Sequence, residues 1–389
     1  MENLFKLVNL ERVINETLKL VEVQNTAGNT VEIANQYELL LENSGFTVQV
    51  YEFIPNNPTI VARYQGNTNP NGKTIIFNGH MDVITLGHTP PHVEGNKIYG
   101  RGTCDMKGSL ASILEVARVL KQAELEIDGE IIIIANSMHE SPGGRGEDLT
   151  ALTEQLDLNA DAVVVMEGAT YDCTVAQLGS ATFNIRIERE GEPSHQLFTL
   201  DGTPHPISVL AAVIQSLEKE NESLKRKQIE DIGNASYFIG NVQSGNFYNQ
   251  MPNKAFLEGV RRYGPEESYD EVEDQMRQIL NELASKYGVS ISLEMKKVRD
   301  GYRIDKAHDL VKALQKSVKQ TRGIALPLVG KKLVTDAGIF VKGMNIPAIC
   351  YGPDQSRAHS ETEYVEISEL KQTINVYLQL IHEYLGIKF

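Results

Sequence analysis

The chain has 389 residues, 41% of them hydrophobic, more than a single core usually serves, so two domains are the default. Its formal net charge of −15, from 37 basic and 52 acidic residues with no local block of Lys or Arg, excludes nucleic acid and acidic membranes as partners. Three scattered cysteines, Cys104, Cys173 and Cys350, lack C-x-x-C spacing and exclude a disulfide framework or a thiolate zinc knuckle.

The opening MENLFKLVNLERVINETLKLVEV has a charged amphipathic helix pattern without a signal-peptide apolar region, and no run of about 18 apolar residues follows anywhere. A cytoplasmic location is expected. Helices are predicted over Leu10 to Val23 and Val31 to Asn43, then strands over Val48 to Ile54, Thr59 to Tyr64 and Thr74 to Phe77, with a hairpin turn at Gly66 to Lys73. A helix over Met106 to Ala123 precedes strands at Ile131 to Ala135 and Ala162 to Met166. Later come a helix at Asp305 to Lys319, a strand at Ile346 to Tyr351 and a helix at Ile367 to Tyr384. This alternation predicts an α/β layer architecture, and IIII at Ile131 to Ile134 predicts a central strand covered on both faces. Between Gly179 and Lys297 the pattern changes. ATFNIRIERE alternates strictly, with helices at Pro206 to Lys219 and Glu266 to Lys286 and strands near Tyr237 and Phe256, predicting an inserted α+β unit on an open antiparallel sheet. The larger domain is then discontinuous: 1–178 and 298–389, with 179–297 inserted.

Polar groups cluster where the strands end. His80 and Asp82 in GHMD sit two apart, so a carboxylate can fix the second ring nitrogen of a metal-binding imidazole. Asp105 follows in GRGTCDMKG, whose glycines permit close backbone approach. HESPGGRG begins at His139 after the central strand, and Glu167 follows AVVVM. Carboxylates and imidazoles at the C-terminal ends of strands in an α/β sheet point to a divalent metal.

These blocks, with MEGAT, GPDQSRAHSETEYV, GEPSH, NQMP and VRRYGP, resemble the M20 metallopeptidases in order and spacing over almost the whole chain. That family includes acetylornithine deacetylase, succinyl-diaminopimelate desuccinylase, aminoacylase and glutamate carboxypeptidase. The resemblance implies a discontinuous zinc-hydrolase domain with a mixed, mostly parallel sheet and an inserted ferredoxin-like lid and dimerisation domain. It implies two divalent metal ions, zinc first, with cobalt or manganese as alternatives. His80 and Glu167 would bind one, Glu140 and His359 the other, and Asp105 would bridge them; a pair roughly 3.5–4 Å apart activates a shared water and polarises the scissile carbonyl. A non-proline cis peptide is implied at Asp105 to Met106. His195 would reach the site of a partner copy in a homodimer and stabilise the oxyanion, while Asn249 and Arg262 would hold the substrate, the arginine being suited to gripping a carboxylate.

One position departs from the pattern. The family's paired glutamates fall on His139 and Glu140, so the general base is a histidine, whose protonated form is disfavoured beside two dications. Glu147 or Asp148 folding back, or Glu140 itself, could serve instead. The expected activity is metal-dependent cleavage of the amide bond of a small N-acyl amino acid or dipeptide with a free carboxylate, with His139 and Asp82 counted among the catalytic groups. The rival is a catalytically impaired protein of the same fold that binds a small amino-acid-like ligand.

Overall fold

The computed structural model describes every residue except Gln24, 67–71, Ser141 and Phe389, so the core of the predicted turn after Gly66 lies outside the described residues. The chain falls into two compact units: Met1–Val175 with Ile304–Val329 and Thr335–Phe389, and Ala176–Arg303 with Gly330–Val334.

In the first unit the sheet runs in the order Thr47–Ile54, Asn57–Gln65, Gly129–Asn136, Lys73–His80, Ala162–Val165, Ala348–Cys350 and Cys173–Gln177. Its four central strands are parallel and the flanking pairings antiparallel. The isoleucine run behaves as its composition dictates. Ile131 and Ile133 pack with helices Gly108–Gln122 and Ile367–Tyr384, while Ile132 and Ile134, equally buried, face the other side. That side is covered by helices Glu147–Gln155 and Ala337–Met344, which the sequence pattern does not reveal. Both are too short for a clear 3.6-residue period. The predicted helix at Met106 starts two residues later, because Thr103–Lys107 forms a wide turn in which Asp105 and Met106 have non-helical dihedrals. The Asp105–Met106 peptide is cis.

The second unit carries a four-stranded antiparallel sheet in the order Ser236–Ser244, Lys254–Tyr263, Gly179–Glu188, Ser290–Arg299. Phe183, Ile185 and Ile187 are buried while Asn184 and Arg186 are exposed, which is the alternation legible in ATFNIRIERE. The buried residues pack against helices Pro206–Lys225 and Tyr269–Tyr287. The second helix begins three residues after the predicted Glu266, where Ser268 and Glu271 form a reciprocal capping box that satisfies two backbone donors.

Candidate metal centre

Four parallel strands deliver their C-terminal ends to one place, where ligands bind in sheets of this kind. His80 closes Lys73–His80, His139 and Glu140 follow Gly129–Asn136, Glu167 follows Ala162–Val165, and Gln355 and His359 follow Ala348–Cys350. Asp105 arrives from the wide turn.

The two oxygens of Asp105 face different partners. Oδ1 lies 3.2 Å from His80 Nε2, and Oδ2 lies 3.3 Å from His359 Nε2, which is itself 3.1 Å from Glu140 Oε1. Two ligands about 2.1 Å from one tetrahedral ion stand about 3.4 Å apart, so these spacings suit zinc-like coordination. Ligand atoms of His80, Asp105 and Glu140 lie within 4.8 Å of one another, as do those of His80, His139 and Glu167. Glu167 Oε1 is buried without a hydrogen-bond partner, a costly state for a carboxylate oxygen unless a cation completes it. The donor set therefore fits divalent metal.

Charge coupling is strong. Burial raises Glu167 above the usual carboxylate range, against the lowering pull of His139 and His80. Asp105 is pressed well below that range: burial opposes ionisation, but His359 and His80 outweigh it. His359, half-exposed, is raised to about 10 by Asp105 and Glu140. His80 is raised too, Asp105 and Asp82 overcoming the opposing effect of burial.

Outer groups hold this arrangement. His80 Nδ1 donates to the Asp82 carbonyl oxygen at 3.0 Å, with the Asp82 carboxylate further away at 3.5 Å. The orienting group predicted two residues on is therefore present, but the strand ends at His80 and the backbone oxygen makes the shorter contact. The Asp82 carboxylate instead accepts the backbone N–H groups of His139 and Glu140, at 3.2 and 2.8 Å, which ties the two halves of the site together. Gly144 lets the loop after Glu140 fold back, since a Cβ there would stand 2.3 Å from the Met138 backbone.

His139 stacks on His80, with ring centroids 4.1 Å apart and planes within 6°, and its Nδ1 lies 3.1 Å from Asp336 Oδ2. Two parallel rings cannot both aim an in-plane lone pair at the same ion, so in this conformation His139 stands beside the metal ligands. Burial works against its protonation, but Asp336 outweighs that effect and leaves its pKa raised. Two of the three substitutes for a base considered from sequence, Asp148 and Glu147, are committed elsewhere, whereas Glu140 stays in the cluster beside His359. Asp148 is buried and accepts from Ser137 N and Thr59 Oγ1 at 2.6 and 2.8 Å; Glu147 accepts from Arg145 N at 2.6 Å. Nor does Asp105 cap a helix, which begins only at Gly108.

Three site residues escape sequence reasoning. Asp336 lies in LVTDAGIF, a stretch with no distinctive spacing. Gln355 donates to Asp105 Oδ1 and Glu167 Oε2 at 2.8 and 3.2 Å. Glu363 Oε1 accepts from the N–H groups of Gly102, Cys104 and Asp105 at 2.9 to 3.3 Å, while its Oε2 meets Arg101 at 2.7 Å. The last two belong to the block GPDQSRAHSETEYV, whose polar density was their only signal.

The remaining predicted residues lie in the second unit. His195 is exposed; its Nδ1 accepts from Leu197 N, and its Nε2 lies 3.2 Å from the Asn249 side-chain amide. Of the two adjacent arginines, Arg261 is buried and stacked on Tyr237, whereas Arg262 keeps a buried Nη1 without a partner.

Comparison with known proteins identifies the lineage. The sequence profile of Peptidase family M20/M25/M40 matches residues 76–383. The chain is 25% identical over 403 residues to an N-formyl-4-amino-5-aminomethyl-2-methylpyrimidine deformylase of Halalkalibacterium halodurans, covering 92% of this chain and 90% of the relative. Its fold is similar to the aminopeptidase PepT from Bacillus cereus, with a TM-score of 0.81, 20% identity, and coverage of 97% and 99% of the two chains. It is also similar to YXEP of Bacillus subtilis, a dinuclear metal-binding peptidase, with a TM-score of 0.70, 18% identity, and coverage of 97% and 98%. None of these lends support to the impaired-protein reading. The chain belongs to Peptidase family M20/M25/M40 and is a metallohydrolase.

Proposed function

We propose that the protein is a metal-dependent amidohydrolase cleaving a small N-acyl amino acid or dipeptide with a free carboxylate. The observation that carries the reading is the division of Asp105, one oxygen toward His80 and the other toward His359. His80 and Glu167 would hold one divalent ion, Glu140 and His359 the other, with Asp105 shared between them. Zinc suits this donor set, as do cobalt and manganese. When bound, such a pair polarises the scissile carbonyl and acidifies a water.

The chain's own residues supply the rest. His139 takes the proton of the attacking water and passes it to the leaving amine. A cationic imidazole beside metal ions needs a compensating charge, and Asp336 at its Nδ1 provides one while directing Nε2 to the proton-transfer role. Asp82 positions both His80 and the His139–Glu140 loop. His195, contributed by a second copy in a homodimer, donates to the oxyanion, and Asn249 and Arg262 grip the substrate carboxylate. The unit Met1–Val175 with Ile304–Val329 and Thr335–Phe389 serves as the metal-binding domain, and Ala176–Arg303 with Gly330–Val334 as the lid and dimerisation domain, a few residues away from the bounds 1–178, 179–297 and 298–389 drawn from the sequence. A cytoplasmic location belongs to the same proposal. No helix among the described residues is long and apolar enough to cross a membrane.

The test is metal analysis of the purified protein combined with hydrolysis of a panel of N-acyl amino acids and dipeptides before and after chelation. About two metal equivalents and chelator-sensitive turnover are expected. Less than one equivalent in protein that still turns over would sink the reading.

A further inference from the structure

Beside the ligand cluster, within the first unit, lies a cavity of about 390 Å³, a size typical of small-molecule sites. Glu140 and His359 line it, so anything seated there touches the reacting centre. Its wall is apolar: Ala27, Val83, Ile84, Leu86 and Pro142, with hydroxyls only from Thr26 and Thr85. Among the described residues lining it there is no lysine or arginine.

Building on the amidohydrolase reading, we propose that this cavity receives the acyl half of the substrate and selects an uncharged, apolar acyl group over a dicarboxylic one. A substrate of the proposed class has two halves. The amino-acid half carries a carboxylate and needs a free cation, which this wall lacks, because its one imidazole, His359, is already engaged by Asp105 and Glu140. The acyl half is attached to the carbonyl that must lie against Glu140 and His359, and its tail then points along Ile84 and Leu86. A succinyl group entering there would bury its second carboxylate without a counter-charge, a cost that an alkyl or aryl tail avoids. Leu86 is 59% exposed, so its side chain forms the outer rim and gains burial only when a tail covers it.

The experiment compares binding of the acyl products to zinc-loaded protein by calorimetric titration, with butanoate, hexanoate and succinate as probes. Butanoate and succinate have the same chain length, so their difference isolates the second carboxylate. Butanoate is expected to bind roughly 10-fold or more tighter than succinate, whose second carboxylate would be buried without a counter-charge, and hexanoate tighter still, in line with the roughly 10–200-fold worth of a methylene in an apolar pocket. Leu86→Arg should reverse the order, and Leu86→Ala should weaken hexanoate more than butanoate. Succinate binding as well as butanoate, or Leu86→Arg leaving the ratio unchanged, overturns the proposal. Turnover of N-acyl amino acids in the same preparation separates the two readings. Hydrolysis with succinyl preference removes the pocket assignment alone, whereas apolar selectivity without hydrolysis removes the amidohydrolase reading and leaves the pocket.

Discussion

The cluster around Asp105 and the pair His195–Asn249 carry similar functional groups in opposite physical settings. His80, Asp105, Glu140 and Glu167 are buried and held by hydrogen bonds: His80, Asp105 and Glu140 donate to Asp82 and Glu363, and Glu167 accepts from Gln355. His195 is exposed and held by Leu197 N and one amide contact. A buried site is organised by the fold and couples to charge and pH; an exposed one costs little to change and depends on what covers it. Mutations should separate the two by their side effects.

The largest effect is expected from Asp105→Ala, which removes the group shared by both ligand sets. Metal content should collapse, with affinity falling more than the roughly 10–100-fold typical of losing an outer partner, as measured by competition with a chromogenic chelator. His139→Ala should lower kcat about 10²–10⁴-fold with metal content intact, the range for lost proton transfer. Asp336→Asn should cost less and shift the pH profile of kcat, a change that simple loosening of the loop would not produce. If His139→Glu raises kcat instead, the imidazole is a handicap and its assigned role is wrong.

On the exposed side, His195→Ala should reduce kcat about 10²–10³-fold while leaving metal content and thermal midpoint unchanged. An unchanged kcat would place His195 outside the chemistry. Glu363→Gln brings the buried side back: loss of the carboxylate facing Gly102, Cys104 and Asp105 should weaken metal binding roughly 10–100-fold without touching a ligand.

The smallest effect concerns pH. In metal-free protein His359 is raised to about 10 by Asp105 and Glu140, so its stabilising contribution is complete below the unfolded value of about 6.5 and is lost as pH climbs toward 10. Metal must displace that proton, so apparent affinity should rise with pH across the same window, with proton release measurable by calorimetry in buffers of different ionisation enthalpy. Affinity independent of pH there would show that the cluster binds no ion through His359.

Sequence determined the alternation of elements, because Ile131 to Ile134 and ATFNIRIERE state their burial patterns outright, and it marked His80, Asp105, Glu140, Glu167 and His359 by their place after strands or in ordered blocks. Tertiary structure decided what those groups touch. It alone paired His139 with Asp336, nearly two hundred positions away, and gave the nearer contact on His80 to the Asp82 carbonyl oxygen. It also placed Glu363 under the Asp105 turn and lined the cavity with Ile84 and Leu86. The reason is physical: periodicity and turn chemistry are local and can be read along the chain, whereas partnering depends on which strand ends meet, and that is settled only when the sheet is assembled.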